Sequence, residues 1–393
     1  MARRPAAYDG VALVAPVTIG YEKTSEHGAA WFAGAALRAL IRKAGIAKED
    51  VDGFALSSFT LAPDTAVAMT AHLGISPRWL EDIPLGGASG LVAMRRAARA
   101  VQAGDAEIVA CIAADTSRPG AFRDLVANFS VFSREAVYPY GAGGPNAVFA
   151  MITRNYMEEY GVTREDFGRL CVAQRINASG NPHALLRDKP LTLEAYLAAR
   201  VVAEPLHLFD CVMPCAGADG FLVMSIERAR SLGLPYAVIK GAVERHNAYA
   251  EDPVPTRGGW AMERASLYDQ AGLGPEDMDF VETYDDYPVI SLMQIEDLGF
   301  FPKGEGARFL RETPLTVNGG GLPHNTSGGQ LSMGQAGAAG GYLGLVEAIR
   351  QLTGQAAGAA IENARHGVVS GYGMVIYDRC LCTAAAVLGR GEP

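Results

Sequence analysis

The sequence predicts an α/β protein composed of two similar halves, each built around a mostly parallel sheet. The main observation is an internal repeat, in which "AGIAKEDVDGFALSSF" at 44–59 resembles "AGLGPEDMDFVETYDD" at 271–286. In both stretches a helical pattern ends at a glycine, an acidic turn follows, and an apolar strand begins. Strands and helices alternate in both halves, which favours sheets that are buried on both faces. Two such halves would stack about a pseudo-twofold axis.

The repeat continues beyond these stretches and divides the chain. Each half follows with a glycine-rich turn, "GGASG" from Gly86 and "GGQLSMGQAGAAGG" from Gly328, and then with an alanine-rich helix and an apolar strand. The spacing differs between the halves, so the duplication is approximate. We predict a first half at 1–235 and a second half at 236–393. Within the first, the segment at about 116–235 reads as an inserted loop region with a helix, covering one end of that half.

Composition bounds the class of protein. The 393 residues are 49% hydrophobic and 20% charged, which is typical of a compact soluble protein with a large core. A net charge of −9 argues against nucleic acid or an anionic membrane as a bulk partner. Six cysteines in apolar surroundings indicate reduced thiols and a cytoplasmic protein. The sequence shows neither a signal-peptide pattern nor an apolar run long enough to span a membrane.

Metal and nucleotide sites are not predicted. Cys211 and Cys215 are four positions apart, and Cys380 and Cys382 are two apart, so neither pair has the spacing of a zinc site. We interpret these cysteines as structural thiols. No glycine fingerprint of a dinucleotide site follows a strand with an acidic residue in place. We therefore expect no tightly bound cofactor and no metal.

One turn raises the question of chemistry. In "DIPLGGASG" at 82–90 a strand runs into a tight glycine turn and then a helix, which is where many α/β enzymes place a nucleophile. Gly86, Gly87 and Ala88 carry no group that can attack a substrate.

Five motifs, taken in order, resemble the thiolase superfamily over nearly the whole chain. They are "GGASG" at 86–90, "DCVMPCAGADGFLVMSIERA" at 210–229, "VETYDDYP" at 281–288, "GGQLSMGQAGAAGG" at 328–341 and "VVSGYG" at 368–373. Their order and spacing carry the resemblance, which points to the sterol-carrier-type thiolase-like proteins of bacteria. It implies the thiolase fold, with two βαβαβ-type halves stacked as five αβαβα layers, and a homodimer. Exposed edge strands beside the turn would also favour dimerisation.

The catalytic positions of the family are changed here. The acyl-accepting cysteine corresponds to Gly87, the activating histidine to Gln335, and the late cysteine to Ser370 or Gly371. Covalent acyl transfer needs an activated nucleophile and its base, so these changes argue against cysteine-dependent thiolysis. Some members of the branch resemble steroid side-chain aldolases, which cleave a β-hydroxyacyl-CoA and need no such nucleophile.

Oxyanion stabilisation by the main chain does not depend on cysteine. Gly87 lies at a predicted helix start, where free N–H groups and the helix dipole favour negative charge. The resemblance places the amides of Gly371 and Gly373 opposite. Together they could stabilise the enolate of an acyl-CoA.

A retro-aldol reaction also needs a base for the β-hydroxyl proton. Tyr284 falls where the aldolase branch has a catalytic tyrosine, and Asp285 could orient it or lie near the acyl chain. The branch has a second tyrosine where this chain has Gln335, which can hold a carbonyl or hydroxyl but cannot act as a base. Purely structural roles are the alternatives. Tyr284 could pack at the end of a buried strand, and Asp285 and Asp286 could be solvated turn residues.

Further candidates are weaker. Ser89 follows the glycine turn, His324 could line the pocket or be an ordinary loop histidine, and His246 could contact the CoA chain. The acyl group stays open between steroid, aromatic and aliphatic chains. Four aromatic residues of the loop region could wall a bulky pocket or simply pack: Phe129, Phe132, Tyr138 and Tyr140.

These observations leave three functional hypotheses. The first is an aldolase-like lyase that cleaves a β-hydroxyacyl-CoA, with the CoA thioester as substrate and a small OB-fold and zinc-ribbon protein as its acyl-CoA-binding partner. The second is a non-catalytic thiolase-like scaffold subunit of an acyl-CoA-processing complex. The third is an atypical thiolase or acyltransferase, or an enzyme with decarboxylative or retro-Claisen chemistry that uses water.

Overall fold

The computed structural model describes residues 7–128 and 130–392. The strands are β1 (Val11–Glu22), β2 (Gly53–Ser57), β3 (Trp79–Asp82), β4 (Ile108–Asp115), β5 (Val201–Ala203), β6 (Leu206–His207), β7 (Ala216–Ser225), β8 (Tyr236–His246), β9 (Phe280–Glu282), β10 (His366–Ile376) and β11 (Arg379–Arg390). The helices are α1 (Ala29–Ala44), α2 (Ala66–Leu73), α3 (Ser89–Ala103), α4 (Ala121–Asn128), α5 (Val131–Ala136), α6 (Pro145–Tyr160), α7 (Arg164–Ala178), α8 (Leu193–Leu197), α9 (Ile226–Ser231), α10 (Gly259–Ala271), α11 (Pro288–Asp297), α12 (Gly306–Glu312), α13 (Gly329–Met333) and α14 (Gly340–Leu352).

The strand order confirms the duplication predicted from the repeat. The main sheet runs β3-β2-β4-β7-β1-β8-β11-β10-β9. The first half contributes β2-β4-β7-β1 and the second contributes β9-β10-β11-β8, which is the same order for equivalent strands. β3 is an additional edge strand of the first half. The halves meet where β1 pairs with β8 over Ala12–Val238, Leu13–Ala237 and Val14–Tyr236, in the antiparallel arrangement that a pseudo-twofold axis requires.

The prediction of mostly parallel sheets is wrong. Only β3–β2, β2–β4 and β9–β10 are parallel among the pairings of the main sheet in the described residues. The pairings β4–β7, β7–β1, β8–β11 and β11–β10 are antiparallel. Strands that are buried on both faces are continuous apolar runs in either direction, so the pattern indicates burial and not direction.

The layers follow the thiolase arrangement that the resemblance implied. α1 packs on the outer face of the first half's strands through Phe32 and Leu40. α3 and α14 lie in the middle, where Leu91 and Val346 belong to one core with residues from the strands of both halves. α10 and α11 cover the outer face of the second half's strands, with Leu267 fully buried. The order of layers is therefore αβαβα.

The segment at 116–235 is more ordered than the predicted loop region. It contains β7, which lies between β4 and β1 in the main sheet, and the long helices α6 and α7. Phe149 of α6 and Leu170 of α7 share a core with Val289 of α11, so these helices cover the second half and not an end of the first. The division at 235/236 stays a prediction, and it falls immediately before β8.

Two of the four aromatic residues that could wall a pocket or simply pack are strongly exposed. Tyr140 is 88% exposed and Phe132 is 68% exposed, and Tyr138 is half-buried. Phe129 lies outside the described residues. Within the described ranges, no helix is long and apolar enough to cross a membrane.

Candidate active site

Tyr284 lies in the loop between β9 and α11, and its main chain is held from two directions. Its N–H donates to the Ser370 carbonyl (3.2 Å) and to Gln294 Oε1 (3.1 Å), and its own carbonyl accepts from Gln294 Nε2 (2.7 Å). Gln294 is on α11 and Ser370 on β10, and the Ser370 hydroxyl donates to the same Gln294 oxygen (2.7 Å). These bonds fix the position from which the tyrosine ring projects.

The ring of Tyr284 explains why residue 87 is a glycine. A Cβ at Gly87 would overlap both the Tyr284 ring carbons and the main-chain oxygen of Tyr372. The place that a nucleophilic side chain would occupy is therefore filled by the tyrosine ring and by β10. This crowding comes from residues distant in sequence, so the sequence alone does not reveal it.

The glycines of the two halves meet around Gly87. A Cβ at Gly371 would lie 2.6 Å from the Gly87 oxygen, and one at Gly341 would lie 2.5 Å from the Gly86 oxygen. A Cβ at Gly373 would overlap the Leu85 oxygen. The structure thus brings the predicted main-chain elements together, with β10 and the start of α14 packed backbone to backbone against the turn that precedes α3.

The Tyr284 hydroxyl is paired with a carboxylate. It donates to Asp286 Oδ2 (2.8 Å), and Gln335 Nε2 donates to the Tyr284 oxygen over a long 3.5 Å. Burial and the charge of Asp286 hold the pKa of Tyr284 well above its usual value. Burial raises the pKa of Asp286 to about 7, with hydrogen bonds from Tyr284 and Gln335 opposing the shift and Asp285 adding to it. The sequence analysis left Asp286 as a turn residue.

Asp285 faces a different group from the one that we expected. Its carboxylate accepts from the N–H groups of Gln330 (2.9 Å) and Leu331 (3.2 Å) and from Gln174 Nε2 (3.0 Å). Burial raises its pKa to about 6 despite these bonds. Asp285 therefore holds the glycine-rich turn at the start of α13 in place and does not contact the Tyr284 hydroxyl.

The Gln330 side chain contacts both Asp285 and Asp286. With its amide oriented to satisfy both neighbours, it donates to Asp286 Oδ1 (3.3 Å) and accepts from the Asp285 N–H (3.2 Å). Gln335 is held by its main chain, since its N–H donates to Met213 O and its carbonyl accepts from the Cys215 N–H, both at 2.9 Å. The sequence analysis missed Gln330 because a glutamine in a glycine-rich run gives no signal of its own.

Three predicted residues lie apart from the Tyr284 hydroxyl. Ser89 is fully buried, and its hydroxyl donates to Ile83 O (2.9 Å) and accepts from the Leu85 N–H (3.1 Å). His324 is also fully buried, bonded through Nε2 to Thr283 Oγ1 (2.8 Å), and burial lowers its pKa to about 3. These two residues support the main chain around the site.

The third of these residues, His246, is half exposed at the end of β8. It pairs with Cys382, which in turn pairs with Gly373 of β10. Two strand spacings, roughly 10 Å, therefore separate it from Gly373.

Hydrogen bonds to one carboxylate connect the two halves and support the turn that carries Gln335. Asp115, at the end of β4, accepts from the N–H groups of Phe59 (2.9 Å) and Thr60 (2.6 Å) and from that of Ala338 in the second half (2.7 Å).

In the described part of the chain, no group of three or more His, Cys, Asp or Glu residues could hold a metal ion. The arrangement offers acid–base chemistry beside closely packed main chain, without a side-chain nucleophile at residue 87.

The fold and this site define a member of the thiolase superfamily in which the nucleophile position is closed. A family model described as "Thiolase C-terminal domain-like" matches residues 241–389. The chain belongs to the thiolase superfamily and, within it, to the thiolase-like aldolase branch.

Curated relatives and a solved structure support this placement. The chain is 34% identical to the "Steroid side-chain-cleaving aldolase" of Thermomonospora curvata over 85% of this chain and 88% of that protein. It is 34% identical to the "17-hydroxy-3-oxo-4-pregnene-20-carboxyl-CoA lyase" of Mycobacterium tuberculosis over 85% of this chain and 89% of that protein. The structure "Ltp2-ChsH2(DUF35) aldolase" matches with a TM-score of 0.82 and 31% identity, covering 97% of this chain and 98% of that one.

Proposed function

We propose that the protein is an acyl-CoA carbon–carbon lyase that cleaves a β-hydroxyacyl-CoA by a retro-aldol reaction. The observation that carries the proposal is the Tyr284 ring over Gly87, which closes the nucleophile position and puts a hydroxyl–carboxylate pair beside it. A retro-aldol cleavage needs a proton acceptor and an oxyanion site but no covalent acyl intermediate. The relatives named as an aldolase and a CoA lyase support the same class.

The groups of the site divide the reaction between them. The thioester oxygen would lie at the main chain of the 86–88 turn, opposite Gly371 and Gly373, where N–H groups at a helix start stabilise an enolate. The β-hydroxyl would lie on the Tyr284 hydroxyl, with the Gln335 amide beside it. Loss of the hydroxyl proton breaks the Cα–Cβ bond, releases an aldehyde or ketone, and leaves the enolate of a shortened acyl-CoA, which then takes up a proton.

We base the proposed substrate and partner on the proteins to which this chain is similar. One relative is named for a hydroxylated steroid carboxyl-CoA, and we propose a bulky acyl-CoA of that kind as the substrate. No tightly bound cofactor is needed for this chemistry. We further propose a homodimer, a cytoplasmic location, and a small OB-fold and zinc-ribbon partner that binds the acyl-CoA. The similar solved structure is named for two components, Ltp2 and ChsH2(DUF35), which supports a partner complex.

The test is an incubation with a panel of β-hydroxyacyl-CoA and β-ketoacyl-CoA esters, followed by mass spectrometry. The purified chain is used alone and together with a co-expressed candidate partner. We expect the hydroxy esters to give a shortened acyl-CoA and an aldehyde or ketone without added CoA. Cleavage of keto esters only when CoA is added would contradict the proposal. Binding of CoA esters or of the partner without any product would favour the scaffold hypothesis.

Ser89 provides a prediction that separates support of the turn from contact with the substrate. Ser89→Ala leaves the Leu85 N–H and the Ile83 carbonyl without their partner, so we expect the free energy of unfolding to fall by about 1–3 kcal/mol. The KM for the acyl-CoA should stay within about threefold of the wild-type value. Urea unfolding and steady-state kinetics measure the two quantities. Ser231→Ala, which removes an exposed hydroxyl at the end of α9, is the control. An unchanged stability with a much higher KM would give Ser89 a role in substrate binding.

A further inference from the structure

We infer that Asp286 is the proton acceptor of the site and that Tyr284 passes the substrate proton to it. This inference rests on the proposed lyase function and assigns its base. Tyr284 donates its hydroxyl proton to Asp286 Oδ2 (2.8 Å), and its oxygen keeps a lone pair, besides the one that faces the Gln335 amide at 3.5 Å, to accept the substrate proton. The half-buried Asp286 is held on the other side by the Gln330 amide, 3.3 Å from Oδ1.

Tyr284 by itself is a poor base. Forming its anion would place a buried phenolate beside the Asp286 carboxylate, which is why burial and that carboxylate hold the tyrosine pKa well above its usual value. If the proton that Tyr284 already shares with Asp286 moves across as the substrate proton arrives, Tyr284 stays neutral throughout. The negative charge of the pair is then transferred to the substrate.

The surroundings of Asp286 raise its affinity for a proton. The titratable groups that face it are Tyr284 and Asp285 of the same loop, Tyr287 at the start of α11, Cys211 in the loop after β6, and Tyr372 of β10. All of these are neutral or negative, and no positive charge is among the described groups that shift its pKa. Burial then raises the pKa of Asp286 to about 7, where a carboxylate is a competent general base at neutral pH.

The neighbouring carboxylate does not meet the same conditions. Asp285 accepts two main-chain N–H groups and one side-chain amide, none of which can take up a proton or pass one on. Of the two carboxylates, Asp286 is the one that the structure connects to the hydroxyl over Gly87.

The proposed step accounts for each proton and each electron pair. The O–H bond of the substrate breaks, its proton goes to the Tyr284 oxygen, and the proton of Tyr284 moves to Asp286 Oδ2. The electron pair of the O–H bond forms the carbonyl of the departing aldehyde or ketone. The pair of the Cα–Cβ bond forms the enolate, whose charge lies on the thioester oxygen. The reverse shift through Tyr284 gives Cα its proton and restores the Asp286 carboxylate.

The experiment compares wild-type protein with Asp286→Asn and Asp286→Glu over a range of pH. An asparagine can still accept the Tyr284 hydrogen bond but cannot take up the proton. In the wild type, kcat/KM should fall below about pH 7, because the carboxyl becomes protonated and no longer acts as a base. Asp286→Asn should lower kcat by about 100-fold or more, with KM within about threefold, and remove this acidic limb. Asp286→Glu should keep a limb and recover part of the rate.

The control is Asp252→Asn, which changes a carboxylate that pairs with Arg257 outside the site, and which should leave rate and pH profile unchanged. Thermal melts show whether each variant is folded. If Asp286→Asn keeps the limb and a near-wild-type kcat, Asp286 is not the acceptor, although the lyase function stands. If the wild type cleaves no β-hydroxyacyl-CoA, the proposed function and this inference are both overturned.

Discussion

Tyr284→Phe is expected to lower lyase turnover by about two to four orders of magnitude while the protein stays folded. The substitution keeps the ring that fills the space over Gly87, so the packing of the 86–88 turn against β10 is retained. It removes only the hydroxyl, which leaves Asp286 Oδ2 without the tyrosine donor and the substrate without its proton relay. Affinity for the acyl-CoA should change little, since the proposed oxyanion groove is formed by main chain. Endpoint assays after long incubation measure the residual turnover, and titration with the acyl-CoA ester measures the affinity.

Tyr156→Phe is a matched control for this variant. Tyr156 is a buried tyrosine like Tyr284, and its hydroxyl donates to the Glu296 carboxylate over the same 2.8 Å, but it lies on α6 and outside the candidate site. We expect it to cost stability of about 1–3 kcal/mol and to leave kcat unchanged. A Tyr284→Phe protein with wild-type turnover would remove Tyr284 from the mechanism. If Tyr284→Phe and Tyr156→Phe both lose lyase activity to the same extent, the loss reflects a folding defect.

Gly87→Cys is expected to abolish lyase activity without producing a thiolase. The new Cβ would overlap the Tyr284 ring and the Tyr372 oxygen, so the ring or the β10 backbone has to move, at a cost of about 1–3 kcal/mol. Displacing the ring separates its hydroxyl from Asp286, and turnover should fall by about 100-fold or more. The thiol would also lack an activating base, because Gln335 supplies an amide where the family has a histidine. Mass spectrometry with and without CoA measures both activities.

Gly87→Ala distinguishes the effect of size from the effect of the thiol. It should lose lyase activity to nearly the same extent, because the overlap begins at Cβ. Gly28→Ala is the control, since a Cβ there meets nothing within 4 Å. CoA-dependent cleavage of a β-ketoacyl-CoA by Gly87→Cys would show that the nucleophile position is not closed, and our account of the site would be wrong.

The duplication could be predicted from the sequence because each half repeats a local signal. Gly45 and Gly272 end equivalent helices, and each is followed by an acidic turn and a strand. Strand direction could not be predicted, since burial on both faces removes the alternation that distinguishes a half-exposed strand. The β10–β11 hairpin could not be predicted either. Its turn is formed by Tyr377 and Asp378 and has no glycine, and Tyr377 has a positive φ of 54°.

The site could be predicted in part. Gly87, Tyr284, Gln335, Gly371 and Gly373 are brought together, but their roles stay predictions. The choice between Asp285 and Asp286 could not be made, because adjacent residues in a loop face different groups and only the fold decides which carboxylate meets the tyrosine. Ser89 is predicted in the site because it lies only two positions after Gly87, whereas its hydroxyl is bonded to the local main chain.

The contact between residue 87 and residue 284 also limits the order in which such a site can evolve from a cysteine-bearing ancestor. A tyrosine arriving at 284 would have met a side chain at 87 in the space that its ring needs. We therefore expect the change to glycine to have come first, through a form without the nucleophile, or together with the tyrosine. Reversion faces the same obstacle in the opposite direction, since a cysteine regained at 87 is harmful until residue 284 becomes smaller. The overlap predicts that the two positions change together among related proteins, although they lie 197 positions apart in the chain.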